Sequence, residues 1–204
     1  MSVLCSSLIS KDIDFACDEI GIRGVEADGI IINRNDIEFA SSTITGNVIS
    51  DIHITYGKKG YKIIQLGNSP FTGTQSQLNI GTYINTWNHN VSFVVLNNGQ
   101  DTCSDIIDGL ANGSFVVILK NKSQGTDGKD TYQVYGWYQG LKASEITNDK
   151  WSEETEGGWL VTLQEQRANK SGVFLWNTDR ETTAAMYDSL LTPSTGKTPS
   201  AGEE

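Results

Sequence analysis

Val48-Ile49-Ser50-Asp51-Ile52-His53-Ile54-Thr55-Tyr56 runs through Gly57-Lys58-Lys59-Gly60 into Tyr61-Lys62-Ile63-Ile64-Gln65-Leu66. Val48, Ser50, Ile52, Ile54 and Tyr56 fall on one phase of a two-residue period, and Ile49, Asp51, His53 and Thr55 fall on the other. That alternation predicts a half-buried strand, because successive side chains of a strand point to opposite faces. The glycine-flanked lysine pair predicts a hairpin connection into a second strand, Tyr61–Leu66. Strand, turn and strand is the grammar of most of the chain.

Upstream, Ile30-Ile31-Ile32 and Ile37-Glu38-Phe39 are short apolar or alternating runs separated by the turn composition Asn33-Arg34-Asn35-Asp36. Downstream, residues 67–79 are polar and rich in Gly, Ser, Thr, Gln and Asn, long for a loop in a compact domain. Tyr83–Leu96 predicts another strand or pair of strands, ending at Asn97-Asn98-Gly99. Asp101–Asn112 is the most helical stretch before the C-terminal region. Thr102-Cys103-Ser104-Asp105 resembles a capping box, Cys103, Ile106, Ile107, Leu110 and Ala111 form an apolar stripe, and Gly113 stands at the C-cap. Strand-like runs resume at Ser114–Lys120, Thr131–Tyr138, Trp159–Glu165 and Val173–Trp176. Thr178-Asp179-Arg180-Glu181 predicts a second cap, opening a short helix to Leu191 on which Met186 and Leu190, and Tyr187 and Leu191, share a face. From Thr192 the text lacks apolar content and predicts a disordered tail. No repeat of fixed period occurs. The expected fold is a single mainly-β unit, a β-sandwich or partly open barrel with one flanking central helix and a short C-terminal helix.

Composition narrows the class further. With 15 basic and 25 acidic residues in 204, the formal charge is −10, which disfavours adhesion to nucleic acid phosphates or to an anionic membrane surface. The three cysteines, Cys5, Cys17 and Cys103, form no CxxC pair. They predict free thiols, in a reducing compartment or in a particle assembled inside a cell, rather than a disulfide framework or a zinc site. MSVLCSSLISKDIDF lacks a basic n-region and a long apolar run, so no secretory signal is expected there. The longest apolar runs, such as Phe115-Val116-Val117-Ile118-Leu119, are strand-sized and far short of a membrane span.

Residue patterns that carry chemistry are sparse. His53 and His89 lie 36 residues apart without a second ligand at metal spacing. No G-x-S-x-G elbow and no Walker loop occurs; Gly125-Thr126-Asp127-Gly128-Lys129-Asp130 has neither the Walker spacing nor alternating calcium-loop acids and predicts a hairpin turn. Residues 145–156 hold five acids and one lysine, the composition of a solvated loop. Tyr132, Val134, Gly136 and Tyr138 share one strand phase, and Gln133, Tyr135, Trp137 and Gln139 the other. These aromatics suit a core on one face and an interface, or a sugar- or base-stacking platform, on the other. No catalytic residue, cofactor site or metal site is assigned, and an enzyme is not expected.

Several pieces follow one another in a recognisable order. Cys17-Asp18-Glu19-Ile20-Gly21-Ile22-Arg23-Gly24 leads into the isoleucine strand, then come Gly46-Asn47-Val48-Ile49-Ser50-Asp51-Ile52 and Gly57-Lys58-Lys59-Gly60-Tyr61. Leu110-Ala111-Asn112-Gly113 then runs into the Phe115–Leu119 strand, followed by Tyr132-Gln133-Val134-Tyr135-Gly136, Gly140-Leu141-Lys142-Ala143 and Gly158-Trp159-Leu160-Val161-Thr162-Leu163-Gln164-Glu165. This order, over residues 17–176, resembles the tail-tube-like and ring virion structural proteins of tailed bacteriophages, particularly of crAss-like phages. The resemblance implies a tail-tube-like β domain over residues 17–177, preceded by an N-terminal arm (1–16); the C-terminal helix (178–191) and the disordered acidic tail (192–204), read from the residues alone, depart from the family's pattern. It implies synthesis in the host cytoplasm and residence in the virion. The expected partners are copies of the chain in a ring, neighbouring tail, neck or portal proteins, and DNA passing without sequence recognition; no membrane partner is expected. A ring subunit needs loops that reach its neighbours. Thr72, Gln75 and Gln77 in the first polar segment, and Glu145, Asp149, Glu153, Glu154 and Glu156 in the acidic one, are the candidate inter-subunit or lumen residues. The competing function is a carbohydrate- or receptor-binding β-sandwich, of the decoration or adhesion kind, motivated by the aromatics and residues 67–79.

Overall fold

The computed structural model describes residues 9, 11–13, 21–125 and 127–195. The arm over residues 1–16 is thus almost wholly outside the described residues, as are Cys5, Cys17 and the tail from residue 196.

The chain is mainly β and builds two sheets. The larger contains β1 (Val25–Asn33), β2 (Thr43–Thr45), β3 (Val48–Asp51), β4 (Tyr61–Ile64), β7 (Phe115–Asn121), β8 (Tyr132–Tyr135) and β11 (Val173–Leu175). Their spatial order is β2-β3-β11-β8-β7-β1-β4. The smaller contains β5 (Gln75–Asn79), β6 (Thr86–Val95), β9 (Lys142–Asn148) and β10 (Trp159–Ala168), in the order β5-β6-β10-β9. Both sheets end in free edges, so the fold is not a closed barrel.

The run Phe115–Leu119 explains the layering. Val116 and Ile118 enter one core, with Ile30, Ile32, Ile49, Val134 and Leu175. Val117 and Leu119 enter the other, with Val91, Phe93, Val161 and Leu163 of the smaller sheet. The larger sheet is therefore buried on both faces, which is why its central strand reads as continuous apolar text rather than alternation. Its second face is covered by the segments flanking β2 and β3, through Ile37, Ile52 and Ile54, and by helix α3 (Arg180–Ser189), through Tyr187 and Leu190.

The predicted hairpin at Gly57–Gly60 does not form. β3 pairs with β2 and, in parallel, with β11, whereas β4 pairs with β1 at the far edge of the same sheet. The connection crosses the covered face instead, where Gly60 N–H donates to the Leu190 carbonyl at 2.7 Å, on the end of α3. Gly57 and Lys58 exchange backbone hydrogen bonds with Ser194 at 3.0 and 2.9 Å, so the tail is held at its start. The strand phase also slips: Ile49 is buried and Val48 is exposed, while Ile52 and Ile54 lie beyond the end of β3 at Asp51.

The central helix forms as α1 (Gln100–Thr102), a π turn (Cys103–Ile107) and α2 (Asp108–Asn112) in succession. The π turn inserts one residue into the helical period. Thr102, Ile107 and Leu110 consequently face the core, Cys103 is half-buried, and Ile106 and Ala111 turn to solvent, which corrects the predicted stripe. The capping box does not form either; Gly99 is the N-cap, without a side-chain hydrogen bond. In α3 the cap is Asp179 rather than Thr178, its carboxylate accepting the Thr182 N–H at 2.7 Å.

Candidate functional site

Residues 67–79 are not one loop. Phe71 is buried in the core shared by the two sheets, and Gln75–Asn79 pairs with β6 as an edge strand. Gln75 and Gln77 are exposed on that strand, while Thr72 sits on the preceding turn with its hydroxyl donating to the Ser69 carbonyl at 2.6 Å. Glu145 is likewise in a strand, β9, at the opposite edge of the same sheet. The structure thus separates the two candidate sets across the sheet, with one exception: Thr72, Glu154 and Glu156 line one cleft.

The acidic segment continues as the turn of residues 149–158. Asp149 accepts the Trp151 N–H at 2.9 Å, and Asn98 and Asn148 donate to the Gly157 carbonyl at 2.8 and 3.1 Å. Glu153, Glu154 and Glu156 are exposed along it. It is a tied turn rather than a free loop.

The cleft lies between β4, the C-terminal half of β6 and the central helix, and measures about 1010 Å³. Ile64, Leu66, Phe71, Leu96 and Ile106 make its lining chiefly apolar, and Asp105, Glu154 and Glu156 bring acidic groups to it. One wall is a strand edge closed by a side chain. Gln65 donates to the Val94 carbonyl at 2.8 Å and accepts the Val94 N–H at 2.9 Å, so its amide pairs with β6 as a neighbouring strand would. Thr74 accepts the Ser92 N–H beside it at 3.4 Å. These side chains blunt a strand edge that would otherwise template pairing with another chain.

Two buried polar side chains on the smaller sheet, Glu165 and His89, are hydrogen-bonded. Glu165 is 1 % exposed, and its carboxylate accepts backbone N–H groups from Gly136 at 3.0 Å, Tyr138 at 2.9 Å and Gln139 at 2.7 Å. Its charge, after burial, holds the Tyr138 phenol above its ordinary value. His89 is buried edge-on to Tyr135, with Nδ1 2.8 Å from the Ser76 hydroxyl and Nε2 3.0 Å from the Lys170 carbonyl. Because a carbonyl only accepts, Nε2 carries a proton, and Ser76 meets Nδ1. His53, in contrast, is exposed and 2.9 Å from Asp51.

The aromatic cluster is not a platform. Tyr132, Tyr135 and Trp137 are buried, and burial pushes both tyrosine phenols up. The backbone at Gly136 takes a φ of +85°, a left-handed geometry that glycine adopts freely. It swings Trp137 into the same core as Tyr132 and Val134, against the predicted alternation. The sequence pattern missed Glu165, although its phase shared with Trp159, Val161 and Leu163 points inward.

Comparisons with protein families, with curated proteins and with solved structures return no match for this chain.

Proposed function

We propose that this chain is a bacteriophage virion structural protein, forming a ring or tube layer in the tail or neck around the DNA channel, with a tail-tube-like sandwich as its body. The observation that carries this reading is a folded subunit that leaves a large apolar cleft and several big apolar side chains open to solvent. Exposed apolar surface of that extent marks an interaction site. The order of motifs over residues 17–176 supplies the resemblance. The charge of −10 suits a wall past which DNA phosphates slide without cationic holding points. Glu145, Asp149 and Glu153 are the candidates for that lumen side, since Glu154 and Glu156 belong to the cleft. No catalytic role and no cofactor are part of the proposal. The receptor-binding alternative draws no support from Tyr132, Tyr135 and Trp137, which are buried.

Antibody labelling of intact particles, with mass spectrometry of purified virions, tests the reading. Label on the tail or neck is expected. A chain absent from the particle would overturn it.

A further inference from the structure

Between Lys62 and Asp101 the chain carries no Asp, Glu, Lys or Arg, a gap of 38 residues in a protein that is 20% charged. That gap builds β5, β6 and the connection between them, along with one wall of the cleft. It also holds seven of the fifteen large apolar side chains that are exposed among the described residues: Ile64, Leu66, Leu78, Ile80, Tyr83, Ile84 and Leu96. The seven fall at two places. Leu78, Ile80, Tyr83 and Ile84 form the tip of the β5–β6 hairpin, whereas Ile64, Leu66 and Leu96 line the cleft.

The tip is a formed knob. Gly81 N–H donates to the Asn85 side-chain oxygen at 3.3 Å, and a Cβ at Gly81 would stand 2.4 Å from the Ile84 carbonyl, so the turn closes only with glycine there. Tyr83 is 96% and Ile80 80% exposed on it. The tip precedes Thr86 and the cleft gathers Ser92–Asn97, so they lie at opposite ends of β6. Nine strand steps of about 3.3 Å put them roughly 30 Å apart. A chain therefore cannot fill its own cleft with its own tip.

We infer that the β5–β6 tip of one copy seats in the apolar cleft of the next, joining copies head to tail. The inference rests on the assembly reading above and names its contact. Two chains of charge −10 repel each other, and a contact between them forms most readily where charge is missing. The uncharged tip meets Asp105, Glu154 and Glu156 at the cleft without a like-charge clash. Because knob and socket are different surfaces, the contact is heterologous; it makes a ring where the rotation closes and a filament where it does not.

Sedimentation velocity of the full chain over a concentration series tests this. Tyr83→Asp with Ile84→Asp disables the tip, and Leu66→Asp with Ile106→Asp disables the cleft. All four side chains are exposed, so circular dichroism and melting should match the parent. The parent is expected to grow in mass with concentration, and each double variant to stay monomeric to at least about tenfold higher concentration. An equimolar mixture of the two variants should form dimers and stop there, because one intact tip and one intact cleft remain. Variants that assemble like the parent would overturn this contact and leave the ring reading standing. A mixture that stays monomeric would overturn the head-to-tail pairing. A parent that stays monomeric throughout, as its own single species, would overturn the assembly reading together with the contact.

Discussion

The Glu165 carboxylate, on the smaller sheet, accepts the backbone N–H of Gly136, at the end of a strand in the larger sheet, at 3.0 Å. The same group holds Tyr138 and Gln139, so one buried acid fixes the turn that reverses the strand phase and brings Trp137 into the core. Replacing it strands several buried donors. Glu165→Ala is expected to cost about 3–5 kcal/mol, and Glu165→Gln less, since one oxygen can still accept. Urea unfolding at neutral pH measures both; a change within experimental scatter for the alanine variant would show that the turn stands without the carboxylate.

Neighbouring isoleucines of the π turn should behave in opposite ways. Ile107 is buried in the core shared by the sheets, and Ile106 is half open to the cleft. Ile107→Asp places a charge in that core and should destabilise by about 3–5 kcal/mol. Ile106→Asp should leave the melting temperature nearly unchanged. Equal losses from the two would mean that the helix does not carry the extra residue of a π turn.

Acid should act on α3 through its cap. Hydrogen bonds from the backbone and the side chain of Thr182 hold the Asp179 carboxyl below its ordinary value of 3.8. A depressed folded value means that the stabilisation is fully present above 3.8 and is lost as pH falls through the lower, folded value. Asp179→Asn keeps the cap without the titration. Thermal melts between neutral and strongly acid pH should therefore narrow the gap between parent and asparagine variant as pH drops; a constant gap would sever the cap from the acid response.

Proteolysis separates the two exposed loops. Tyr83 and Trp151 are almost fully exposed, so brief chymotrypsin treatment should cut first after these residues in the monomer. Assembly should protect Tyr83 and leave Trp151 accessible. Protection of Trp151 alone would place the contact on the acidic turn instead.

The alphabet of strands was legible in the sequence, but their partners were not. Phe115–Leu119 was legible as a strand, and the two cores it divides give the reason that both of its phases are apolar. Gly57–Gly60 looks like a hairpin because local text carries turn chemistry and nothing about the larger sheet, where β11 pairs with β3 and β4 crosses to β1. The stripe on the central helix failed by one residue, the one the π turn inserts. Among the candidate residues, Thr72, Glu154 and Glu156 come together at the cleft, whereas Gln75 and Gln77 stand at the opposite sheet edge from Glu145. The cleft itself was invisible, since its walls come from residues as distant in the chain as Ile31 and Leu160.

Electron microscopy of the purified chain at high concentration puts assembly to the most direct test. Side-by-side copies joined through a knob and a distant socket should appear as closed rings of cyclic order or as stacked tubes with an open lumen. A field of single particles of the size expected for one 22.3 kDa chain, at every concentration, would contradict the account.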